Sequence, residues 1–223
     1  ISAWGGNLST CTKYGCKAID TGVGYILRPI IPAGPDSVWV GGGSALLFRC
    51  GTTKCTTVQP TRSGINISGI LSFDMNNLIA VGDAASFTGK YSQGALWRCN
   101  PAGCKRDVII EGKEVPPLVV VAGLDLNNVW IMGSDGPGDK FIGRCNQTSC
   151  REVIHNADSG SLLTGIWVIN DDLAYITGWR GLYLRCSGTT CTKMTPGAFD
   201  LTAIGALTNT HYFITGPYGY LRE

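Results

Sequence analysis

Long apolar runs are missing from this chain. Its richest hydrophobic stretch, Leu118 to Leu124, has the length of a strand and falls well short of the roughly 18 residues of a membrane-spanning helix. No membrane span is expected. A concentrated basic face is missing too: 18 Lys and Arg stand against 16 Asp and Glu, scattered along the sequence, for a net charge of +2. Without a patch able to neutralise many phosphates, nucleic acid is not an expected partner. Histidine is scarce, with only 2 residues, which leaves few candidates for acid–base chemistry. The basic and apolar regions of an export signal do not open the sequence at Ile1, so any such signal is expected to have been removed or to lie outside it.

What the chain does have is a 44% hydrophobic composition with 31 glycines, the mark of a packed, turn-rich protein rather than a disordered one. Its ten cysteines share one spacing. They pair as Cys11 with Cys16, Cys50 with Cys55, Cys99 with Cys104, Cys145 with Cys150, and Cys186 with Cys191, and none is left over. First members lie 39, 49, 46 and 41 residues apart, so each pair marks the same place in a recurring unit, a period typical of propellers and solenoids. Zinc is the rival reading of paired thiols, but structural zinc sites use tighter knuckles brought together two at a time. A cystine across a hairpin fits better, because flanking residues of a short turn face one another. Such bonds persist in oxidising compartments, so the expected location is secreted, periplasmic or on a cell surface. The N-glycosylation pattern at Asn7, Asn66 and Asn146 agrees with export.

Upstream of each pair except the first, an apolar strand, a polar turn, a second apolar strand ending in Gly, a loop and a third strand recur. The turns are Pro35-Asp36-Ser37, Met75-Asn76-Asn77, Leu126-Asn127-Asn128, Asn170-Asp171-Asp172 and Thr208-Asn209-Thr210. Second strands such as Val129-Trp130-Ile131-Met132-Gly133 are apolar on both faces, so both must be covered. Third strands end in an arginine before the cysteine (Arg49, Arg98, Arg144, Arg185), and fourth strands follow the second cysteine. Four strands per repeat is the content of a propeller blade.

The expected fold is therefore all-β: a five-bladed β-propeller of four-stranded antiparallel blades, formed by residues 1–223 as a single domain. The last repeat ends at Leu221-Arg222-Glu223, with Glu223 standing where a cysteine would be, and lacks a fourth strand. Cys16 to Asp20 would supply it, so that the termini share the last blade. The segment Ala3 to Cys11 also resembles a second and third strand, which leaves a six-bladed propeller as the alternative.

The line Val38-Trp39-Val40-Gly41 followed by Ala45-Leu46-Leu47-Phe48-Arg49 resembles the secreted bacterial propeller repeats related to Asp-box hairpins, with the cysteine pair in place of the Asp-box turn. The implied architecture is similar to that of five-bladed lectins of the tachylectin type, although their motif residues are absent. The resemblance implies a fold and leaves function to the site.

Chemistry is sparse. His155 ends a fourth strand and His211 begins a second strand beside a turn, and every cysteine is committed to a pair, so no nucleophilic triad assembles. The recurring arginines read as repeat grammar, and Asp171-Asp172 as a turn. Asp135 and Asp139 could place two oxygens on calcium but lack the ligand density of a calcium loop. No cofactor is expected. The repeats diverge in their second-to-third-strand loops: Asp83 to Gln93 with Phe87, Lys90 and Tyr91, Ser134 to Lys140, Trp179-Arg180, and Pro217-Tyr218. Exposed aromatics beside polar groups suit a sugar or a protein surface. The expected function is a non-catalytic extracellular recognition module for a glycan or a cell-surface or secreted protein, with Phe87, Lys90, Tyr91, Trp179, Arg180 and Tyr218 as its binding residues. An exported scaffold or assembly subunit is the second reading, and a glycoside hydrolase or sialidase-like enzyme the third.

Overall fold

The computed structural model describes residues 7–24, 26–44, 46–58, 64–74, 76–85, 92–100, 102–135, 139–155, 161–194, 199–206, 208, 211–217 and 221–222. The chain divides into two compact units, Ile1–Asp107 and Val108–Glu223. In the first, β1 (Leu8–Thr12) and β2 (Gly15–Ile19) form a hairpin. Two four-stranded antiparallel meanders follow: β3 (Leu27–Gly34), β4 (Ser37–Gly42), β5 (Leu47–Cys50) and β6 (Cys55–Thr57), then β7 (Gly64–Ser72), β8 (Leu78–Ala85), β9 (Ser92–Asn100) and β10 (Gly103–Asp107).

The second unit repeats the plan. Its sheets are β11 (Leu118–Gly123), β12 (Val129–Ser134), β13 (Lys140–Cys145) and β14 (Cys150–His155), then β15 (Leu163–Val168), β16 (Leu173–Gly178), β17 (Tyr183–Ser187) and β18 (Thr190–Met194). A three-stranded sheet of β19 (Ala203–Ala206), β20 (Tyr212–Thr215) and β21 (Leu221–Arg222) ends it. The described residues thus hold four complete four-stranded sheets, one of three strands and one of two.

All five expected cystines are present: Cys11 is bonded to Cys16, Cys50 to Cys55, Cys99 to Cys104, Cys145 to Cys150, and Cys186 to Cys191. Each joins directly opposed residues of a hairpin, with Cα atoms 3.9–4.0 Å apart. Cys104 and Cys191, the second members of their pairs, also pack at the edges of the neighbouring apolar clusters. No cysteine remains free.

The second strands β4, β8, β12 and β16 are buried on both faces, as their sequences require, whereas in β20 only Ile214 is buried. Trp39 faces Ile67, Ile70, Leu78 and Trp97 of the next sheet, whereas Val40 and Phe48 face Leu8 and Ile19 of the β1–β2 hairpin. Within the second unit, Trp130 and Ile142 pack against Leu163, Ile176 and Leu184. Tyr175 and Tyr183 pack against Leu201, Ile204 and Ile214, with the rings of Tyr175, Tyr183 and Tyr212 5.4–5.7 Å apart. Burial pushes the Tyr183 hydroxyl well above the usual tyrosine range.

The glycine ending each second strand has a steric cause. A Cβ on Gly133 would stand 2.6 Å from the Pro117 carbonyl oxygen of the incoming first strand. Gly82 and Gly178 meet the Asn66 and Leu162 carbonyl oxygens more closely still. Strand closeness, rather than an unusual dihedral, selects glycine there.

Several sequence expectations shift. The Asp83 to Gln93 insertion is partly strand: β8 runs on to Ala85 and β9 begins at Ser92, while 86–91 lie outside the described residues. The Ser134 to Lys140 loop is shorter than expected: Ser134 and Lys140 pair in register, and Lys140 is buried. Arg222 does not occupy the repeat's arginine position. It pairs with Ile214, as Leu184 pairs with Ile176, so it stands where the residue before the arginine stands in the preceding repeat. Glu223, expected at a cysteine's place, lies outside the described residues.

The polar turns are held by a residue at or just before the expected triplets. Asp74 accepts from Asn76 N at 2.6 Å and Asn77 Nδ2 at 2.7 Å. Asp125 accepts from Asn127 N at 2.6 Å, and Asn170 from Asp172 N at 3.0 Å and Leu173 N at 2.9 Å. These bonds to the ionised form hold the Asp74 and Asp125 carboxyls below the ordinary aspartate range. Asp171-Asp172 does more than shape its own turn. Arg144, stacked over Trp130 at 5.7 Å, donates to the Asp172 carboxylate at 3.0 Å, to the Asp171 carbonyl and to Asn128 Oδ1 at 2.9 Å. This ties β13 to the turn between β15 and β16.

Arg144→Ala should lower unfolding free energy by about 1.5–3 kcal/mol, because a mostly buried guanidinium loses several charge-assisted bonds at once. Asp172→Asn should lower it by no more than ~1 kcal/mol, since that carboxylate is largely exposed. Urea denaturation of both variants checks the ratio, and equal losses would mean the clamp is not centred on the arginine. Gly133→Ala should lower stability by about 1–3 kcal/mol through the clash with Pro117, measured the same way.

Candidate functional site

Of the loop residues singled out by sequence, Trp179 and Arg180 are described, while Phe87, Lys90, Tyr91 and Tyr218 lie outside the described residues. Trp179 and Arg180 sit in the 3₁₀ turn Trp179–Gly181 between β16 and β17. The turn is tied down from several sides. Gly178 N donates to Leu182 O at 2.8 Å, Leu182 N to Trp179 O at 3.1 Å, and Trp179 N to Leu162 O at 2.9 Å. A second segment is fastened to it: Arg180 N donates to Asp200 Oδ1 at 2.7 Å and Leu201 N to Gly178 O at 3.0 Å, while Thr164 Oγ1 donates to Leu201 O at 2.6 Å.

On this fixed backbone the side chains face outward. Trp179 is 45% exposed, Arg180 is exposed, and Phe199, beside Asp200, is 62% exposed. Large apolar rings so far in water stand out in a sheet whose other aromatics are mostly packed. Phe199 is absent from the expected binding residues, because it lies in the connection between repeats and carries no repeat signature. The hydrogen bond to its neighbour Asp200 brings it to the turn.

Arg180 adopts a left-handed conformation, with φ 55° and ψ 35°. The turn between β4 and β5 explains why. There Gly42 N donates to Leu46 O at 2.9 Å and Leu46 N to Gly43 O at 3.3 Å, the same pattern, and Ser44 has φ 58°. The two short turns of this pattern share a left-handed residue at this position, where glycine is the unstrained choice. An arginine there is held at a cost of order 1 kcal/mol that the turn itself does not require.

The other candidates stand apart from this patch or serve their own loops. Asp135 Oδ1 accepts from Asp139 N at 2.9 Å, and Asp135 N donates to Asp139 O at 3.2 Å, so the pair closes its loop. Among the described residues, no group of three or more His, Cys, Asp or Glu side chains gathers as a metal site. His211 is engaged with its own turn, its N–H donating to Thr208 Oγ1 at 3.0 Å. The side chain of His155 lies outside the described residues. Asn146 caps the cystine hairpin, its Oδ1 accepting from Thr148 N at 2.9 Å and Ser149 N at 2.8 Å. Among the described residues, no helix is long and apolar enough to cross a membrane, and the five disulfides point to an oxidising environment.

No family model matches the sequence, and no curated protein matches it. Solved structures do. The chain is similar to the computationally designed Ika8 protein, with a TM-score of 0.63 at 10% identity over 99% of this chain and 65% of that one. It is similar to YCF48 from Cyanidioschyzon merolae, with a TM-score of 0.60 at 12% identity over 93% of this chain and 72% of that one. BamB from Moraxella catarrhalis aligns with a TM-score of 0.47 at 16% identity, over 99% of this chain and 77% of that one. The chain thus spans about two thirds of the designed protein's length. The Asp-box and tachylectin resemblance finds no support in these comparisons. They establish the fold class: an all-β protein of the β-propeller type, built from four-stranded antiparallel sheets with a cystine in each hairpin of its C-x4-C pairs.

Proposed function

We propose that this protein is a non-catalytic recognition module of an extracytoplasmic compartment, secreted, periplasmic or on a cell surface, which holds a glycan or a surface protein on the patch of Trp179, Arg180 and Phe199. One observation carries the reading: an exposed tryptophan and an arginine occupy a turn whose backbone is fastened on three sides, and the arginine sits where glycine would be less strained. Retention of a strained residue on a rigid support is what a binding site asks of its scaffold. The two rings offer faces for the apolar side of a sugar or for a partner's side chain, and the guanidinium offers paired donors to a carboxylate or sulfate. The ordered backbone reduces the entropy lost on binding. Tyr218 belongs to the same class of loop by sequence and is kept as a candidate, while Phe87, Lys90 and Tyr91 of the first unit remain candidate binding residues in their own right.

The test begins with an array of neutral, uronic, sialylated and sulfated glycans and a capture screen against surface proteins. Titration calorimetry with whichever probe binds follows. Trp179→Ala should weaken binding by about 1–3 kcal/mol with the fold intact. Arg180→Gly should also weaken it while raising stability by up to ~1 kcal/mol, since the left-handed strain is relieved. Asp171→Asn, at the opposite end of the sheet, should bind as the unaltered protein does. An Arg180→Gly protein that is more stable and binds undiminished, or a Trp179→Ala protein of unchanged affinity, would remove the patch from the site.

A further inference from the structure

We propose a second binding site, independent of that patch: the cavity around Arg49, at the cystine end of the β3–β6 sheet, receives an aspartate-bearing turn of a partner protein. The protein contains its own example of the interaction. Arg49 pairs with Trp39 in register as Arg144 pairs with Trp130, and each arginine precedes a hairpin closed by a cystine. The two positions are therefore the same place in the repeat. At Arg144 the occupant is a peptide turn, whose Asp172 carboxylate and Asp171 carbonyl both accept from the guanidinium.

At Arg49 the neighbouring turn is present but lacks the acid at that place. Counting from the residues that pair with the cysteines, Leu78 with Cys99 and Ala174 with Cys186, the counterpart of Asp172 in the next sheet is Asn76. The acid in that turn, Asp74, is engaged with Asn76 N and Asn77 Nδ2. Arg49 is partly exposed and, among the described residues, has no hydrogen-bond or ion-pair partner.

The open space beside Arg49 lies along its own sheet: a cavity of about 500 Å³ bordered by Asp36, Ser37 and the turn of Gly51 to Lys54. Its counterpart beside Arg144, about 260 Å³, stays open while Arg144 holds the Asp171-Asp172 turn from the neighbouring sheet. The lining of the Arg49 cavity includes Ser37, Thr52, Lys54 and Thr56, with Asp36 as the one acid. Arg49 and Lys54 give two positive charges against one. Asp36 makes no ion pair with either among the described residues, and it can accept a backbone N–H, which a turn supplies and a simple anion does not. The Cys50–Cys55 cystine and the bond from Gly51 N to Lys54 O at 2.9 Å hold the hairpin in place, so little ordering accompanies binding. Arginine's planar fork suits a carboxylate with an adjacent carbonyl better than a lysine would.

The probe is a capped peptide of the chain's own turn, residues 169–173, Ile-Asn-Asp-Asp-Leu. Nuclear magnetic resonance follows the Arg49 Nε–H and the amides of Gly51 to Lys54 during titration. The peptide should produce saturable shifts. Affinity should drop roughly tenfold or more when both aspartates of the peptide become asparagine, and again in Arg49→Gln, as loss of a charge-assisted pair requires. Asn76→Asp should restore the internal occupant: Arg49 Nε–H then resembles its peptide-bound position without peptide, and binding falls by a similar factor. This variant adds a contact rather than deleting one, so it tests the site even where Arg49→Gln fails to fold. Absence of saturable shifts overturns the proposal. So does an equal response to acetate or glucuronate, which would make the cavity a general carboxylate site, or undiminished peptide binding in Asn76→Asp.

Discussion

In each C-x4-C repeat the third and fourth strands meet at a cystine whose two residues are directly opposed, and much of the remaining geometry is measured from that pair. Side chains alternate along a strand with a period of two, so fixing one cross-strand pair fixes which residues face which neighbour. The arginine one residue before the first cysteine is thereby placed opposite Trp39, Ile79, Trp130 or Tyr175 of the second strand. The bond's direct share of stability is small, about 2 kcal/mol per short loop in the chain-entropy account. Its larger effect is to forbid a one-residue slip that would turn the core face outward.

The last repeat keeps the register of the preceding one without a cystine of its own: Ile214 lies opposite Arg222 as Ile176 lies opposite Leu184, and what differs is the residue at that place, arginine for leucine. At the other end, the β1–β2 hairpin has a cystine and the register of the repeat, and it covers the Val40 and Phe48 face of the first complete sheet. Both ends follow from the same need: a second strand that is apolar on both faces leaves a large hydrophobic surface in water unless something packs on each side.

The parts of this arrangement legible in the sequence are those encoded within a few residues. The cysteine spacing, the polar turns and the short β-branched and aromatic strands are local, and from them follow the four-strand repeat and all five disulfides. Contacts made across repeats are not legible. The partners of Arg144 lie 27 and 28 residues away, at positions that become neighbours only when sheets stack. Asp74 and Asp125 escape the turn signal because the turn's anchor stands just ahead of the residues that look like a turn. Phe199 belongs to a connection without periodicity, and the bond between its neighbour Asp200 and Arg180 N links that connection to the Trp179–Gly181 turn.

Repetition separates what the fold needs from what a particular repeat adds. The short turn after the second strand takes a left-handed residue, Ser44 in one sheet and Arg180 in another. The fold places an arginine opposite the second strand, and the partner then varies. Arg98 pairs with Asp107 of its own hairpin, Arg144 with a turn of the next sheet, and Arg49 with an open cavity. The position is fixed by packing while its occupant is set by residues free to change at little cost in stability. Asn76 stands in the turn next to the Arg49 sheet where Asp172 stands in the turn that Arg144 holds. New binding surfaces can therefore arise on this scaffold without altering the strands that carry them.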